Sequence, residues 1–172
     1  MFVDVRYTQN LYDLNDYNLK YMHLYTGDDY HPDNVCHYGS KEMKDALQGL
    51  HHAYARAFEA GQFGFEGVDI LDESIIAADV IHPHIWVNDM SLPWGGRFKS
   101  KGIMSRDGHL SHKWGNDVDI CYNRMNAAQR QWMWDNAPGF FTEVDLHNRD
   151  DPDNIHWHLD LQIEKRHGGR VC

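Results

Sequence analysis

Cysteine is scarce in this chain: Cys36, Cys121 and Cys172 are all it has in 172 residues. Three thiols cannot all pair within one chain, and their spacing matches no Cys-x-x-Cys zinc or redox pattern, so a reducing compartment is the simpler expectation. Basic residues are also outnumbered, 16 Lys and Arg against 26 Asp and Glu, for a formal net charge of -10. A nucleic-acid partner needs clustered cations to displace counterions from its phosphates. The short runs Arg97 to Lys101 and Lys165 to Arg170 instead read as solvated surface. No apolar run reaches the ~20 residues of a membrane span. The opening Met1-Phe2-Val3-Asp4-Val5-Arg6 lacks the basic-then-apolar order of a signal peptide. The chain is therefore expected to be made in the cytoplasm, and to stay there or leave by a route that needs no cleavable signal.

What is present is enough for one ordinary core: 42% apolar and 13% aromatic residues, in a length that suits a single domain. Residues 1–35 are rich in Tyr, Asp and Asn without a clean period. They are expected to form an extension that packs through its tyrosines on a main domain spanning 36–172. Ser40 opens the best helix, to about Ala60, with Met43, Ala46, Leu47, Leu50, Ala53, Tyr54, Ala57 and Phe58 on one stripe and Gly61 as the stop. Short strands are expected at Val68 to Leu71, His82 to Leu92, Val118 to Tyr122, Glu143 to Leu146 and Ile155 to Ile163. Helices are expected at Glu73 to Val80 and, capped by Asn126, up to Trp134 before Pro138. Asn148 to Asn154 reads as a turn and Lys165 to Cys172 as a frayed tail. The fold class is α+β, with a small antiparallel sheet flanked by helices.

Thirteen histidines are many. His23, His31, His37, His51 and His52 have polar neighbours and no carboxylate at ligand spacing, and most are expected at the surface. His82 and His84 would alternate on one strand face and are taken as structural. The informative stretch is Gly108-His109-Leu110-Ser111-His112-Lys113-Trp114-Gly115-Asn116-Asp117-Val118-Asp119, read with His156-Trp157-His158. Imidazole and carboxylate suit zinc, and three protein ligands with one open position let zinc activate a water. His112 and Asp119 lie seven apart, too far for one helical turn, and Gly115 marks a bend that lets both face one point. On a strand, His156 and His158 point the same way. One can bind the metal while the other stands beside the open position. Cys121, two beyond Asp119, would share its face and is the residue that could turn the site into a closed structural one.

Asn88-Asp89-Met90-Ser91-Leu92-Pro93-Trp94-Gly95-Gly96, followed by His109-Leu110-Ser111-His112-Lys113-Trp114-Gly115-Asn116-Asp117-Val118-Asp119-Ile120 and later by His156-Trp157-His158, resembles the penicillin-insensitive murein endopeptidase family. That family belongs with the D-Ala-D-Ala carboxypeptidases and lysostaphin-type enzymes, whose small antiparallel sheet holds one zinc. The resemblance covers about Val80 to Leu161. It implies Zn2+ held by His112, Asp119 and His158, with His156 beside the zinc-bound water and Asp153, three before His156, as a helper in proton transfer. Zinc lowers the pKa of its water from about 15.7 towards ~7 and polarises the scissile carbonyl. His109 is expected either to orient the ligands or, with Asp145 or His147, to bind a second metal. Arg97 and Trp114 are candidate substrate contacts, Arg97 through a carboxylate.

The implied activity is zinc-dependent hydrolysis of an amide bond in peptidoglycan, with the D-Ala-meso-diaminopimelate cross-link favoured. The connection from Asp119 to His158 is shorter than in the murein endopeptidases and closer to compact phage-type carboxypeptidases and L-alanyl-D-glutamate peptidases, which keeps those bonds as alternatives. A non-catalytic, zinc-stabilised wall-binding or phage structural module is the rival of another class. The absent signal peptide and paired cysteines fit a phage lysis enzyme or a secreted effector toxin, the latter with an immunity protein as partner, acting in the periplasm or cell wall.

Overall fold

A computed structural model describes residues 12–13, 19–24, 38–68, 81–88, 90, 115–153 and 155–162. The fold is α+β: strands β1 (Tyr12–Asp13), β2 (Met22–Leu24) and β3 (Tyr38–Gly39), helix α1 (Lys41–Glu59), strands β4 (Ile85–Val87) and β5 (Asp117–Cys121), helix α2 (Ala127–Asn136) with a 3-10 turn (Ala137–Gly139), and strands β6 (Glu143–His147) and β7 (His156–Asp160). β1 and β3 form a two-stranded antiparallel ribbon. The main sheet has the order β2-β4-β5-β7-β6. Its pairs are antiparallel except for β2, which joins β4 in parallel, Met22 opposite Ile85. The sheet is therefore mixed, and residues within the expected extension supply one of its edges.

α1 follows its sequence signals. The Ser40 hydroxyl accepts from Met43 N–H at 3.1 Å, capping the first turn, and Gly61 leaves the last turn at φ +73°, a conformation that costs glycine little. Its buried stripe is Met43, Leu47, Leu50, His51, Tyr54 and Ala57. His51 is thus a core residue and not a surface one. Its place four beyond Leu47 and one beyond Leu50 puts it on the stripe whatever its polarity, and its Nε2 accepts from Tyr21 N–H at 3.2 Å. Burial, then the neighbouring His52, lowers its pKa below the usual 6.5. A histidine kept neutral by the fold stabilises it above the unfolded value, and that contribution is lost as pH falls through 6.5 towards the folded value. The urea midpoint should therefore drop between about pH 7.5 and about pH 5.5, and the drop should be smaller in His51→Gln. An equal drop in the variant would assign the pH dependence to other groups.

α2 opens on a full capping box, with Asn126 Oδ1 accepting from Gln129 N–H at 2.9 Å and Gln129 Oε1 from Asn126 N–H at 2.7 Å. It runs two residues past Trp134 because Pro138, whose missing N–H is tolerated in a first turn, starts the 3-10 turn. The buried Gln129 amide also donates to His82 O (2.7 Å) and to the Tyr54 hydroxyl, which itself donates to Pro83 O at 2.8 Å. This network ties α2, α1 and the 82–84 segment into one core. Burial raises the Tyr54 phenol above the usual tyrosine range, so it remains a donor at any ordinary pH. Tyr54→Phe keeps the ring and strips two buried groups of a partner, which should cost ~1–3 kcal/mol by urea denaturation. An unchanged midpoint would show that the network contributes nothing.

The strand expected over His82 to Leu92 is shorter in its described part, Ile85–Val87. Pro83 has no N–H for a ladder and His82 N–H goes to Arg124 O (2.8 Å), so His82 and His84 lie outside β4. Both are buried, and His82 packs its ring 4.8 Å from that of Trp86. The expected helix at 73–80, most of the strand at 68–71 and the 165–172 tail lie outside the described residues. No helix among the described residues is long and apolar enough to cross a membrane.

Candidate metal centre

β5, β7 and β6 alternate strictly, and their registers decide what faces what. Val118, Ile120, Trp157, Leu159, Val144 and Leu146 turn to the core. The other face carries Asp117, Asp119 and Cys121 on β5, opposite Asp160, His158 and His156 on β7, which in turn lie opposite Glu143, Asp145 and His147 on β6. Every one of these nine side chains is a potential metal ligand. Gly115, at φ +66°, bends the chain just before β5, as its place in the motif predicts.

His158 is the centre of this face. Its Nδ1 stands 2.9 Å from Asp119 Oδ1 and its Nε2 3.9 Å from Asp117 Oδ2, so the imidazole lies between two carboxylates. All three are buried, with Asp117, Asp119 and His158 exposing 1%, 5% and 9% of their surface. Charged groups at such depth require partners or a cation. His156 Nε2 is 3.7 Å from Asp119 Oδ2 on the same side. His147 stacks nearly parallel on His158, ring centroids 4.5 Å apart, and meets His156 edge-on at 5.6 Å. Burial and the two neighbouring imidazoles lower the pKa of His147, against the opposing pull of Asp119 and Asp145.

Asp117, His158 and Asp160 offer three ligand atoms within 4.8 Å of one another, a group able to hold a metal ion. The donors are oxygen and imidazole nitrogen, chemistry that zinc accepts. Bonds of about 2.0–2.1 Å in a tetrahedron separate two donors by roughly 3.3 Å, so Asp119 Oδ1 and His158 Nδ1 lie within a few tenths of an ångström of chelating spacing. Cys121 shares this face, as expected, and its thiol is outside the three-residue group.

The structure therefore brings Asp119, His158 and His156 together. Asp145 and His147 lie at the rim on β6, where Asp145 accepts from Leu146 N–H (2.7 Å) and from Arg149 Nη2 (3.0 Å). Those bonds, the backbone one foremost, hold its carboxyl below the usual range. Asp153 is exposed in the turn before β7, its N–H bonded to Asp151 Oδ1 at 3.2 Å. Among the described residues, its carboxylate makes no hydrogen bond or ion pair with His156. His112, His109, Arg97 and Trp114 lie outside the described residues. Asp117 and Asp160 were not singled out by the spacing argument, although the signal was present: each stands two residues from a named ligand on a strand, hence on its face. Comparisons with protein families, with curated proteins and with solved structures find no match to this chain.

Proposed function

We propose that the chain is a zinc-dependent peptidoglycan hydrolase that cleaves an amide bond in stem peptides or cross-links, the D-Ala-meso-diaminopimelate bond first. The observation that carries the reading is the buried cross-strand pair of Asp119 and His158, 2.9 Å apart, with His156 on the same face beside it. The substrate class comes from the motif resemblance over Val80 to Leu161. Asp119 and His158 would hold the ion with His112. A zinc ion held there acidifies water and polarises a carbonyl. His156, less buried than either ligand, is placed to take a proton from a water and return it to the leaving amine. Asp119 Oδ2 faces the His156 ring, and His147 flanks it edge-on, which limits how the imidazole can turn.

Zinc-loaded protein should release new amino groups from purified sacculi, and His112→Ala should not. Mass spectrometry of products from defined muropeptides then names the bond, separating endopeptidase from D,D-carboxypeptidase or L-alanyl-D-glutamate peptidase action. No release from sacculi or muropeptides by the zinc-loaded protein would overturn the proposal. One observation favours a second reading: Asp117 and Asp160 add oxygens beside His158, a surplus that could close the coordination sphere as in a structural metal site. On that reading chelation unfolds the protein, and the intact zinc form binds walls without cutting them.

A further inference from the structure

We propose that the cleft between α2 and the sheet is a binding site for an acidic saccharide. The cleft is open to solvent, offers about 420 Å³, within the range of small-ligand sites, and is shaped by Tyr122, Arg130, Gln131, Trp134, Arg149 and Trp157. It lies on the face of the sheet opposite the metal centre, because Trp157 alternates with His156 and His158 along β7. It thus opens on the other face from the site described above, although Arg149 reaches Asp145 at that site's rim.

α2 explains why an indole is left open here. Gln129, Met133 and Ala137 turn to the core, and the stripe through Arg130, Gln131 and Trp134 turns away from it. Trp134 is 49% exposed, yet its ring is held 5.3 Å from that of Trp157. Tyr122 also meets Trp157, ring centroids 5.7 Å apart. Trp157 is itself only 2% exposed, so the ring that the cleft offers to a ligand is the Trp134 indole, with Trp157 behind it.

Charge narrows the ligand further. The chain carries a net -10, but the lining of this cleft contains Arg130 and Arg149 and, among the described residues, no carboxylate; Asp145, which pairs with Arg149, lies outside it, so Arg130 carries the unmatched charge. Both guanidinium groups are held in place. Arg130 lies 4.1 Å over the Tyr122 ring, with Nε–H donated to Tyr122 O at 3.3 Å. Arg149 donates Nε–H to Leu146 O (3.0 Å) and Nη2–H to Asp145 Oδ1 (3.0 Å). Each retains further N–H groups for a ligand. Aromatic faces suit the C–H face of a sugar ring, and a guanidinium fork suits a carboxylate. A neutral sugar would leave the Arg130 fork without a carboxylate, and a nucleic acid needs a broader basic surface than this chain has.

That the saccharide is wall glycan rests on the proposed hydrolase function; the acidic-sugar chemistry rests on the cleft alone. The probe is the disaccharide N-acetylglucosaminyl-N-acetylmuramic acid with its lactyl carboxylate free, titrated into the full chain and followed by tryptophan fluorescence, with neutral chitobiose beside it. A saturable change is expected, with Kd raised at least about tenfold for chitobiose and for Trp134→Ala and Arg130→Gln, and unmoved by Asp119→Ala. Trp134 is half-exposed, so its variant should keep the fold. No saturable change, equal affinity for chitobiose, or an unaltered Trp134→Ala overturns the inference. Sacculi cut by a protein that ignores the disaccharide would reject the cleft and spare the hydrolase. Disaccharide binding by a protein that never cuts would do the reverse.

Discussion

His158→Ala should strip the protein of its metal and abolish hydrolysis. The imidazole faces a carboxylate on each of its two nitrogens, so no single neighbour can replace it. Its loss should weaken zinc binding well beyond the ~10–100-fold typical of a residue that only orients a ligand. Competition against a chromophoric chelator measures this. Removal of the side chain also takes from the buried Asp119 its 2.9 Å partner, a change worth ~3–5 kcal/mol in stability where a buried pair is broken. Asp117→Asn is the informative companion. It keeps the shape and an acceptor oxygen, so an orienting Asp117 predicts a loss of ~10–100-fold in affinity, and a ligating one predicts a loss like that of His158→Ala. Zinc affinity unchanged in His158→Ala would remove this face of the sheet from consideration as the metal centre.

The second large effect separates proton transfer from metal binding. His156→Ala should lower the rate on sacculi by ~10²–10⁴-fold, the usual worth of a positioned acid-base group, with zinc content and affinity close to wild type. The reason is positional: His156 and His158 share a strand face, but Nδ1 of His158 makes the close contact with Asp119, and His156 stands back at 3.7 Å. Parallel measurement of metal content and turnover decides the matter. Should zinc fall together with the rate, His156 is itself a ligand and the proton must move elsewhere.

Elements with strong local signals were legible in the sequence. α1 could be read from a serine cap, an apolar stripe and a closing glycine, β5 as a buried strand over Val118 to Tyr122, and β7 from its alternation. Asp119 and His158 were legible as partners only through the motif, since 39 positions separate them and nothing local foretells their register. Where residue identity and periodicity disagreed, periodicity won: His51 is polar, but its helical position put it in the core. β2 was not legible at all. Three residues are too few to display alternation, and their strand character comes from pairing with the distant β4. The aromatic cleft was equally hidden, because α2 carries aromatics on more than one side and its two faces are told apart only by what packs on them.

The strand order carries a consequence for how the chain reaches this structure. Among the described strands of the main sheet, only β6 and β7 are joined by a short turn; β2 with β4, β4 with β5, and β5 with β7 all pair across long stretches of sequence. Closing those loops costs entropy before any contact offsets it, so the β6-β7 hairpin and α1 are the parts able to form early, and folding belongs to the slower regime of mixed domains. The Asp119 and His158 donors come from β5 and β7, so they do not exist as a pair until one of those long loops closes. An ion held between them would reward the late step of folding and leave the early ones untouched.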